Sequence, residues 1–270
     1  MTVRTMKPWK RALLSTRNQV KYLFRRCFRL SLGEVRLKPG ANDGLFTDPK
    51  TREREEQLLE HYHFDRWKHK LGRVDYQLNL YHLDLMDSVR HRLISLGVHP
   101  VRLVDVGSRT FYYAPCLYHF GTYGGLELKS ICGIELDPYR RYRNGYTAYD
   151  YALAYMKEIG DPVVRYEAMD FAAYEQSYNV CTMFLPFVTE QALLHWGLPL
   201  RTFMPQRLIE HAYEHLASPG VLLITNKGPE EQRALHELLD DMGIPYESRD
   251  AFASPFDPYD VPRYVTIVTK

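Results

Sequence analysis

The sequence predicts an α/β fold in which helices cover both faces of a doubly wound, mostly parallel sheet. The first observation behind this prediction is that, from about residue 100 onward, short runs of β-branched and aliphatic residues alternate with longer segments of helical periodicity. The second is that 270 residues with 45% hydrophobic content can bury a large core. Strands that alternate with helices pair in parallel through right-handed crossovers, so their carboxyl ends should meet at one edge of the sheet.

Six strands are predicted from apolar runs that are bounded by turn residues. They cover Arg102–Val106, Ile131–Leu136, Val163–Ala168, Asn179–Phe184, Val221–Asn226 and Tyr264–Thr269. The helices predicted between them cover Ala114–Phe120, Ala148–Ile159, Gln206–Leu216 and Glu230–Met242. We therefore expect residues 98–270 to form one domain.

The preceding residues 1–97 are expected to form a basic, helical N-terminal region. Glycine, proline, asparagine and aspartate concentrate at residues 37–52, which predicts a linker or an extended loop. Charged and apolar positions then alternate at helical spacing over Glu53–Lys70 and Leu78–Leu96.

The first 40 residues hold eleven lysines or arginines and one acid, Glu34, although the whole chain has a formal charge of only +2. Within them, Pro8–Leu30 is typical of a basic amphipathic helix. Its apolar side comprises Leu13, Val20, Leu23, Phe24, Cys27 and Leu30. Residues 4–38 could accordingly contact an anionic membrane surface or RNA phosphates, or serve as a targeting peptide. The alternative is a helix packed on the rest of the protein with its charges solvated.

The cysteines suggest a reducing environment. Cys27, Cys116, Cys132 and Cys181 are widely spaced and form no Cys-x-x-Cys pair. No apolar run approaches the roughly 18 residues of a membrane span, and the N-terminus lacks the features of a secretory signal. We expect a cytoplasmic protein, with peripheral attachment to a membrane through its basic arm as an alternative.

Acidic residues lie at or just after the ends of three predicted strands, where ligands of such sheets bind. Asp105 and Gly107 end the first strand, Glu135 ends the second in "CGIELDP", and Asp170 follows the third in "YEAMDF". A carboxylate at Glu135 can accept both hydroxyls of a ribose, and one at Asp170 can accept from an adenine amine. Gly107 lets backbone approach a ligand without a Cβ. These acids could instead do no more than cap the helices that follow.

Residues 98–270 resemble the class I S-adenosylmethionine-dependent methyltransferases. The resemblance rests on "VDVGSRT", the acid at Glu135, the Asp170-Phe171 pair, "YNVCTMFLPF", "HAYEHLASPGVLLITN" and a final strand "PRYVTIVTK". It implies a seven-stranded, Rossmann-like sheet, S-adenosyl-L-methionine as cofactor, and methyl transfer. The cofactor-binding residues that it implies are Asp105, Gly107, Ser108, Arg109, Glu135, Leu136, Asp170, Phe171 and Phe184.

The chain departs from that family in the turn after the first strand, residues 107–111, which we call the first turn. The family pattern is Asp/Glu-x-Gly-x-Gly-x-Gly, and Arg109 and Phe111 replace the second and third glycines. Arg109 could offset the loss by binding the methionine carboxylate through a charge-assisted hydrogen bond. Alternatively, its bulk closes the pocket, and the domain is a non-catalytic binding module. A nicotinamide oxidoreductase is disfavoured because Gly-x-Gly-x-x-Gly is absent.

The methyl acceptor is expected at the end of the fourth strand. Phe187, Trp196 and Phe203 can form an apolar wall there, with Pro186 as a further substrate contact. Glu190 and His195 are candidate bases. A base need not exist, because methyl transfer depends mainly on alignment. The same aromatic residues could instead be ordinary core. "FLPF" lacks the Asn/Asp/Ser-Pro-Pro-Tyr/Phe pattern of amino methyltransferases, which favours a carboxyl, hydroxyl or thiol acceptor on a small molecule and leaves RNA open.

Other motifs are better explained by structure, and no metal is expected. His211, Glu214 and His215 match His-x-x-Glu-His, but they lie where the helix before a strand is predicted. His61 and His63 also fall in a predicted helix, which turns them about 200° apart. The tyrosine-rich segment 138–155 is interpreted as an amphipathic helix with a loop beside the cofactor, rather than as a base-stacking surface.

Overall fold

The computed structural model describes residues 6–270, so residues 4 and 5 of the predicted basic contact segment lie outside the described residues. The helices are α1 (Pro8–Phe28), α2 (Pro49–Tyr62), α3 (Asp65–Lys70), α4 (Arg73–Ser95), α5 (Ala114–Tyr123), α6 (Ala148–Ile159), α7 (Glu190–Trp196), α8 (Pro205–His215) and α9 (Gly228–Asp241). The strands are β1 (Val101–Val106), β2 (Leu128–Ile134), β3 (Val164–Glu167), β4 (Tyr178–Phe184), β5 (Leu216–Lys227), β6 (Tyr246–Ala251) and β7 (Arg263–Thr269).

The strands form one seven-stranded sheet in the order β3-β2-β1-β4-β5-β7-β6. Strands β1 to β5 are parallel, whereas β7 runs antiparallel to both β5 and β6. The strand order reverses between β1 and β4, which places a ligand crevice beyond their carboxyl ends. The predicted doubly wound, mostly parallel, Rossmann-like sheet with a helical N-terminal extension is therefore confirmed.

Residues of the inner strands enter two hydrophobic clusters, one on each face of the sheet. Leu103 faces the larger cluster, which includes Leu58 of α2 and Leu83 of α4, while Val104 faces a second cluster that includes Ile209 of α8. The helices of the N-terminal third thus share a core with the sheet. None of the helices within residues 6–270 is long and apolar enough to cross a bilayer.

Three elements differ from the sequence prediction. The helix predicted over Glu53–Lys70 is interrupted, because His63 adopts the left-handed conformation (φ 52°) that ends α2. Helix α7 and strand β6 were not predicted from the sequence. Strand β6, "YESRDA", is an edge strand whose residues are half-buried or exposed, so it lacks the apolar pattern of the inner strands.

Helix α1 packs on the domain through its polar side. The side-chain amide of Asn18, which is buried, donates to the carbonyl oxygens of Leu194 (2.9 Å) and Leu198 (3.0 Å). Tyr22, one turn further, is also buried. The helix therefore docks on α7 and on the loop that follows α7.

Two ion pairs hold α1 near both of its ends. The Arg11 guanidinium donates to both carboxylate oxygens of Glu190, at 2.7 and 2.5 Å. The Arg25 guanidinium donates in the same bidentate way to Asp137, at 2.8 and 2.6 Å, where the carboxylate is buried. Bidentate pairs fix orientation as well as distance, so the rotation of α1 about its own axis is set by these contacts.

Candidate functional site

A cavity of about 1330 Å³ lies beyond the carboxyl ends of the parallel strands, where the strand order reverses. Ligand pockets commonly span about 300–1,000 Å³, so this cavity has room for a nucleoside-sized molecule and a second small one. The residues predicted from the sequence that line it are Gly107, Arg109, Glu135, Leu136, Asp170, Phe171, Phe184, Pro186, Phe187, His195 and Trp196. Asp105, Ser108, Glu190 and Phe203 do not line it.

Asp105 lies beneath the cavity floor and joins three elements. Its carboxylate accepts hydrogen bonds from the hydroxyls of Tyr113 (2.8 Å) and Thr182 (2.6 Å), and its main-chain carbonyl accepts from Ser108 Oγ (2.8 Å). Burial raises the pKa of Asp105 from 3.8 to about 6, against the lowering effect of these hydroxyls. Asp105 therefore positions β1, β4 and the first turn.

The first turn keeps a glycine-type backbone at all three positions of the motif. Gly107, Arg109 and Phe111 have φ angles of +80°, +49° and +54°, so two residues with a Cβ adopt the left-handed conformation. That conformation costs roughly 1–2 kcal/mol for an L-residue. Arg109 and Phe111 thus adopt the left-handed backbone that glycine adopts most easily, although each has a side chain.

The Phe111 ring points into the core. Phe111 is fully buried and does not line the cavity. A Cβ added to Gly133 of β2 would lie 3.0 Å from two of its ring atoms, which shows how closely the ring packs on that strand. A Cβ added to Gly107, in contrast, would meet no atom within 4 Å. The backbone at Gly107 thus faces open space, and the phenyl group leaves that space free.

The Arg109 side chain forms part of the cavity wall. Its guanidinium carbon lies 4.3 Å from the centre of the Trp196 ring, and that of Arg140 lies 4.7 Å from the same centre. The carbonyl oxygen of Arg109 accepts from the Tyr166 hydroxyl at 2.6 Å. The cavity persists with this side chain in place, so the guanidinium is available at the wall without filling the interior.

Glu135 connects the first turn to the end of β2. One carboxylate oxygen accepts from the Arg109 main-chain N–H and the other from the Asp137 N–H, both at 2.9 Å. Burial raises the pKa of Glu135, and the two backbone hydrogen bonds oppose that rise. Because a carboxylate offers about four acceptor positions, each oxygen keeps capacity for a ligand hydroxyl.

Asp170 and Phe171 form the cavity wall after β3. Asp170 is exposed and caps a 3-10 turn over Phe171–Ala173 by accepting from the Ala172 N–H at 3.0 Å. Phe171 is buried against Tyr174. The pair presents a carboxylate beside an aromatic ring, the combination that suits an adenine base.

The two candidate bases lie in different surroundings. His195 is exposed and lines the cavity. Glu190 is bound by Arg11 outside the cavity. Phe187 and Trp196 contact each other, with ring centres 6.1 Å apart, and both line the cavity. Of the two candidate bases, His195 is therefore the one placed to accept a proton from a molecule in the cavity.

Several cavity residues were not found from the sequence. Tyr22 and Arg26 enter from α1, Arg201 and Arg207 come from the segment after β4, and Lys227 is the last residue of β5. Nothing in the pattern of the N-terminal arm indicates where it docks. Lys227 directly follows the predicted strand Val221–Asn226, so the strand-end rule could have found it.

Within residues 6–270, no group of three or more His, Cys, Asp or Glu side chains is arranged to hold a metal ion. His211 and His215 instead hydrogen-bond to the main-chain carbonyls of Tyr174 (2.9 Å) and His211 (3.1 Å). Both rings thus have structural partners on and beside α8.

No protein-family model matches the sequence, and no curated protein matches it either. Similar solved structures include magnesium protoporphyrin IX methyltransferase of Synechocystis PCC 6803 with bound SAM. That protein is 15% identical to this chain; the alignment covers 83% of this chain and 99% of that chain, and the TM-score is 0.47. Precorrin-6y C5,15-methyltransferase of Geobacter metallireducens GS-15 is 15% identical, with coverages of 68% and 88% and a TM-score of 0.43. A SAM dependent methyltransferase of Aquifex aeolicus is 14% identical, with coverages of 63% and 82% and a TM-score of 0.43. Such distant likenesses assign no ligand or substrate to this chain.

Because the backbone at Arg109 is left-handed, glycine at this position should give a more stable protein than alanine, the reverse of their usual order. Arg109→Gly and Arg109→Ala both remove the guanidinium, but only alanine retains the cost of the positive φ. We expect the glycine variant to be more stable by up to about 1 kcal/mol, as measured by urea unfolding. An alanine variant as stable as the glycine variant, or more so, would contradict the assigned turn.

The buried carboxylate of Asp105 predicts a pH-dependent stability difference from Asp105→Asn. Because the pKa of Asp105 rises from 3.8 to about 6 on folding, the native state keeps a proton that the unfolded chain has already lost in this range. The stability of the wild type relative to the variant should fall by on the order of 3 kcal/mol as the pH rises from about 4 to 7. Urea unfolding of both proteins across this range measures the difference, and a flat difference would show that Asp105 titrates normally.

Proposed function

We propose that the cavity binds S-adenosyl-L-methionine and that the chain is a methyltransferase acting on a small-molecule acceptor. The observation that carries the proposal is that groups after three neighbouring strands line one cavity. They are the open backbone at Gly107, the carboxylate of Glu135, and the Asp170-Phe171 pair. The resemblance of residues 98–270 to class I methyltransferases names the cofactor whose parts these groups would bind.

The cavity fits the cofactor in both size and chemistry. About 1330 Å³ remains with Arg109 and Phe111 in place, which supports cofactor binding over a pocket closed by these side chains. A carboxylate with acceptor capacity suits a ribose diol, and a guanidinium suits the carboxylate of a methionine moiety. The backbone at Gly107 can approach the cofactor closely because it has no Cβ.

Each cavity residue has a proposed role. Glu135 accepts the ribose hydroxyls, Asp170 accepts the adenine amine beside Phe171, and Arg109 binds the methionine carboxylate. Leu136 and Phe184 supply apolar walls. Asp105 and Ser108, which the family resemblance placed at the cofactor, position the first turn from beneath the cavity floor.

The bound cofactor would supply a methyl group already activated by a sulfonium leaving group. What remains for the protein is to hold an acceptor in line and to exclude water, a contribution worth up to roughly 7–11 kcal/mol. Pro186, Phe187 and Trp196 form the apolar wall against which the acceptor would lie. His195 is positioned to take the acceptor's proton where the acceptor must lose one.

The charges of the wall favour an anionic acceptor. Within residues 6–270, the cavity lining beyond the residues assigned to the cofactor has more cations than acids. The cations are Arg26, Arg201, Arg207 and Lys227, and the acids are Glu230 and Glu231. Guanidinium and ammonium groups bind carboxylates by charge-assisted hydrogen bonds. A small molecule that carries a carboxylate, and that is methylated at a carboxyl, hydroxyl or thiol group, suits this wall best.

Calorimetric titration with S-adenosylhomocysteine tests the proposal. The wild type should bind it, and Glu135→Gln should weaken binding by about tenfold or more, because a carboxylate that accepts hydroxyls is worth on the order of 1.5–3 kcal/mol. Glu127→Gln is the matched control, since Glu127 is exposed just before β2, at the opposite end of that strand. That control should bind as the wild type does.

Two results would overturn the proposal. Absence of binding by the wild type would remove the cofactor assignment altogether. Equal affinity of Glu135→Gln and the wild type would place the ribose elsewhere. Circular dichroism of each variant separates lost binding from lost folding.

A further inference from the structure

Helix α1 carries a row of large apolar side chains that face solvent. Exposed apolar residues along the helix and just beyond it are Trp9, Leu13, Val20, Leu23, Phe24, Phe28, Leu30 and Leu32. Scattered exposed apolar residues are ordinary, whereas a contiguous patch marks an interaction surface. We call this set the outer face of α1.

The outer face lies opposite the side of α1 that packs on the domain. At 100° per residue, Trp9, Leu13, Val20 and Phe24 fall within an arc of about 60°. Asn18 and Tyr22, which are buried, fall on the other side of the helix. The usual arrangement, in which the apolar side packs inward, is therefore inverted in α1.

The inversion is fixed by specific contacts. Turning the apolar side inward would break the Asn18 hydrogen bonds and the ion pairs of Arg11 and Arg25. It would also leave the carboxylate of Asp137 buried without its partner, which is costly. The outer face is thus presented to solvent by the fold itself.

The charges beside the outer face identify the partner. Lys10, Arg17 and Lys21 are exposed along one flank of it, and no acid occurs between residues 6 and 33. A helix with aromatic and aliphatic residues on one side and Lys/Arg beside them is typical of segments that lie in the interface of an anionic bilayer. RNA would use the cations, but it offers no apolar phase for Leu13, Val20 and Leu23.

We propose that the outer face of α1 docks on an anionic phospholipid membrane, with the helix parallel to the surface. This inference is independent of the proposed methyl transfer, because none of the outer-face residues lines the cavity. Tyr22 and Arg26 of the same helix do line it. Docking therefore places the cavity close to the lipid surface.

Co-sedimentation of the full chain with vesicles tests the proposal, using phosphatidylcholine alone and phosphatidylcholine mixed with phosphatidylglycerol. The wild type should bind the anionic vesicles more tightly than the neutral ones. Val20→Glu should weaken that binding by about tenfold or more, since it places a charge within the inserted face. Because Val20 is outside the packed side of α1, the variant should unfold at the wild-type temperature.

Val74→Glu is the matched control. Val74 is 67% exposed near the start of α4 and Val20 is 64% exposed on α1, so both substitutions add the same charge to an exposed helical valine. Val74→Glu should bind vesicles as the wild type does. Equal binding by Val20→Glu and Val74→Glu, or no vesicle binding by the wild type, would overturn the proposal.

Two further outcomes would assign the outer face to another partner and equally overturn the proposal. The first is binding of a single-stranded RNA oligonucleotide without vesicle binding, weakened by Lys21→Gln but not by Val20→Glu. The second is a lipid-free dimer, seen by sedimentation velocity, that Val20→Glu converts to monomer while vesicle binding is absent. The first result would assign α1 to RNA binding, and the second would assign it to contact with another copy of the chain.

Discussion

The carboxylate of Glu135 holds the first turn of the sheet in the conformation on which the cavity depends. It accepts the main-chain N–H groups of Arg109 and Asp137, and so ties the turn after β1 to the loop after β2. These two hydrogen bonds help to offset the conformational free energy that the left-handed backbone costs at Arg109 and Phe111. With the turn held in this way, the Phe111 ring enters the core and the Arg109 guanidinium lies along the wall. The space above Gly107 is thereby kept open.

Much of the sheet could be predicted because buried parallel strands leave a clear apolar pattern. Strands β1 to β4 and β7 were placed to within three residues, whereas β5 begins at Leu216, five residues before its predicted start. The strand-end rule brought Gly107, Glu135 and Asp170 to one cavity. Strand β6 escaped prediction because an edge strand pairs on one side only and can be polar. Asp105 was assigned to the cofactor from the family resemblance, which does not show which way a carboxylate near the end of a strand points.

The N-terminal arm shows why amphipathic pattern does not determine packing. The apolar side of α1 was evident from the sequence, and the packed helix with solvated charges was one interpretation of it. In the structure the polar side packs, and Arg11 and Arg25 are ion-paired. The ion pairs with Glu190 and Asp137 determine this arrangement. Because these partners are distant in the sequence, the local periodicity of α1 does not indicate them. The arm thus presents one surface to the cavity and the opposite one to solvent.

The most direct measurement of the central claim is a crystal structure of the chain with S-adenosylhomocysteine. The account predicts the ligand in the cavity beyond β1 and β2, its ribose hydroxyls on the Glu135 carboxylate, its amino-acid end near Arg109, and φ still positive at residues 109 and 111. An ordered ligand elsewhere, a cavity that stays empty at saturating ligand, or a first turn that rearranges to release Arg109 from Glu135 would contradict it.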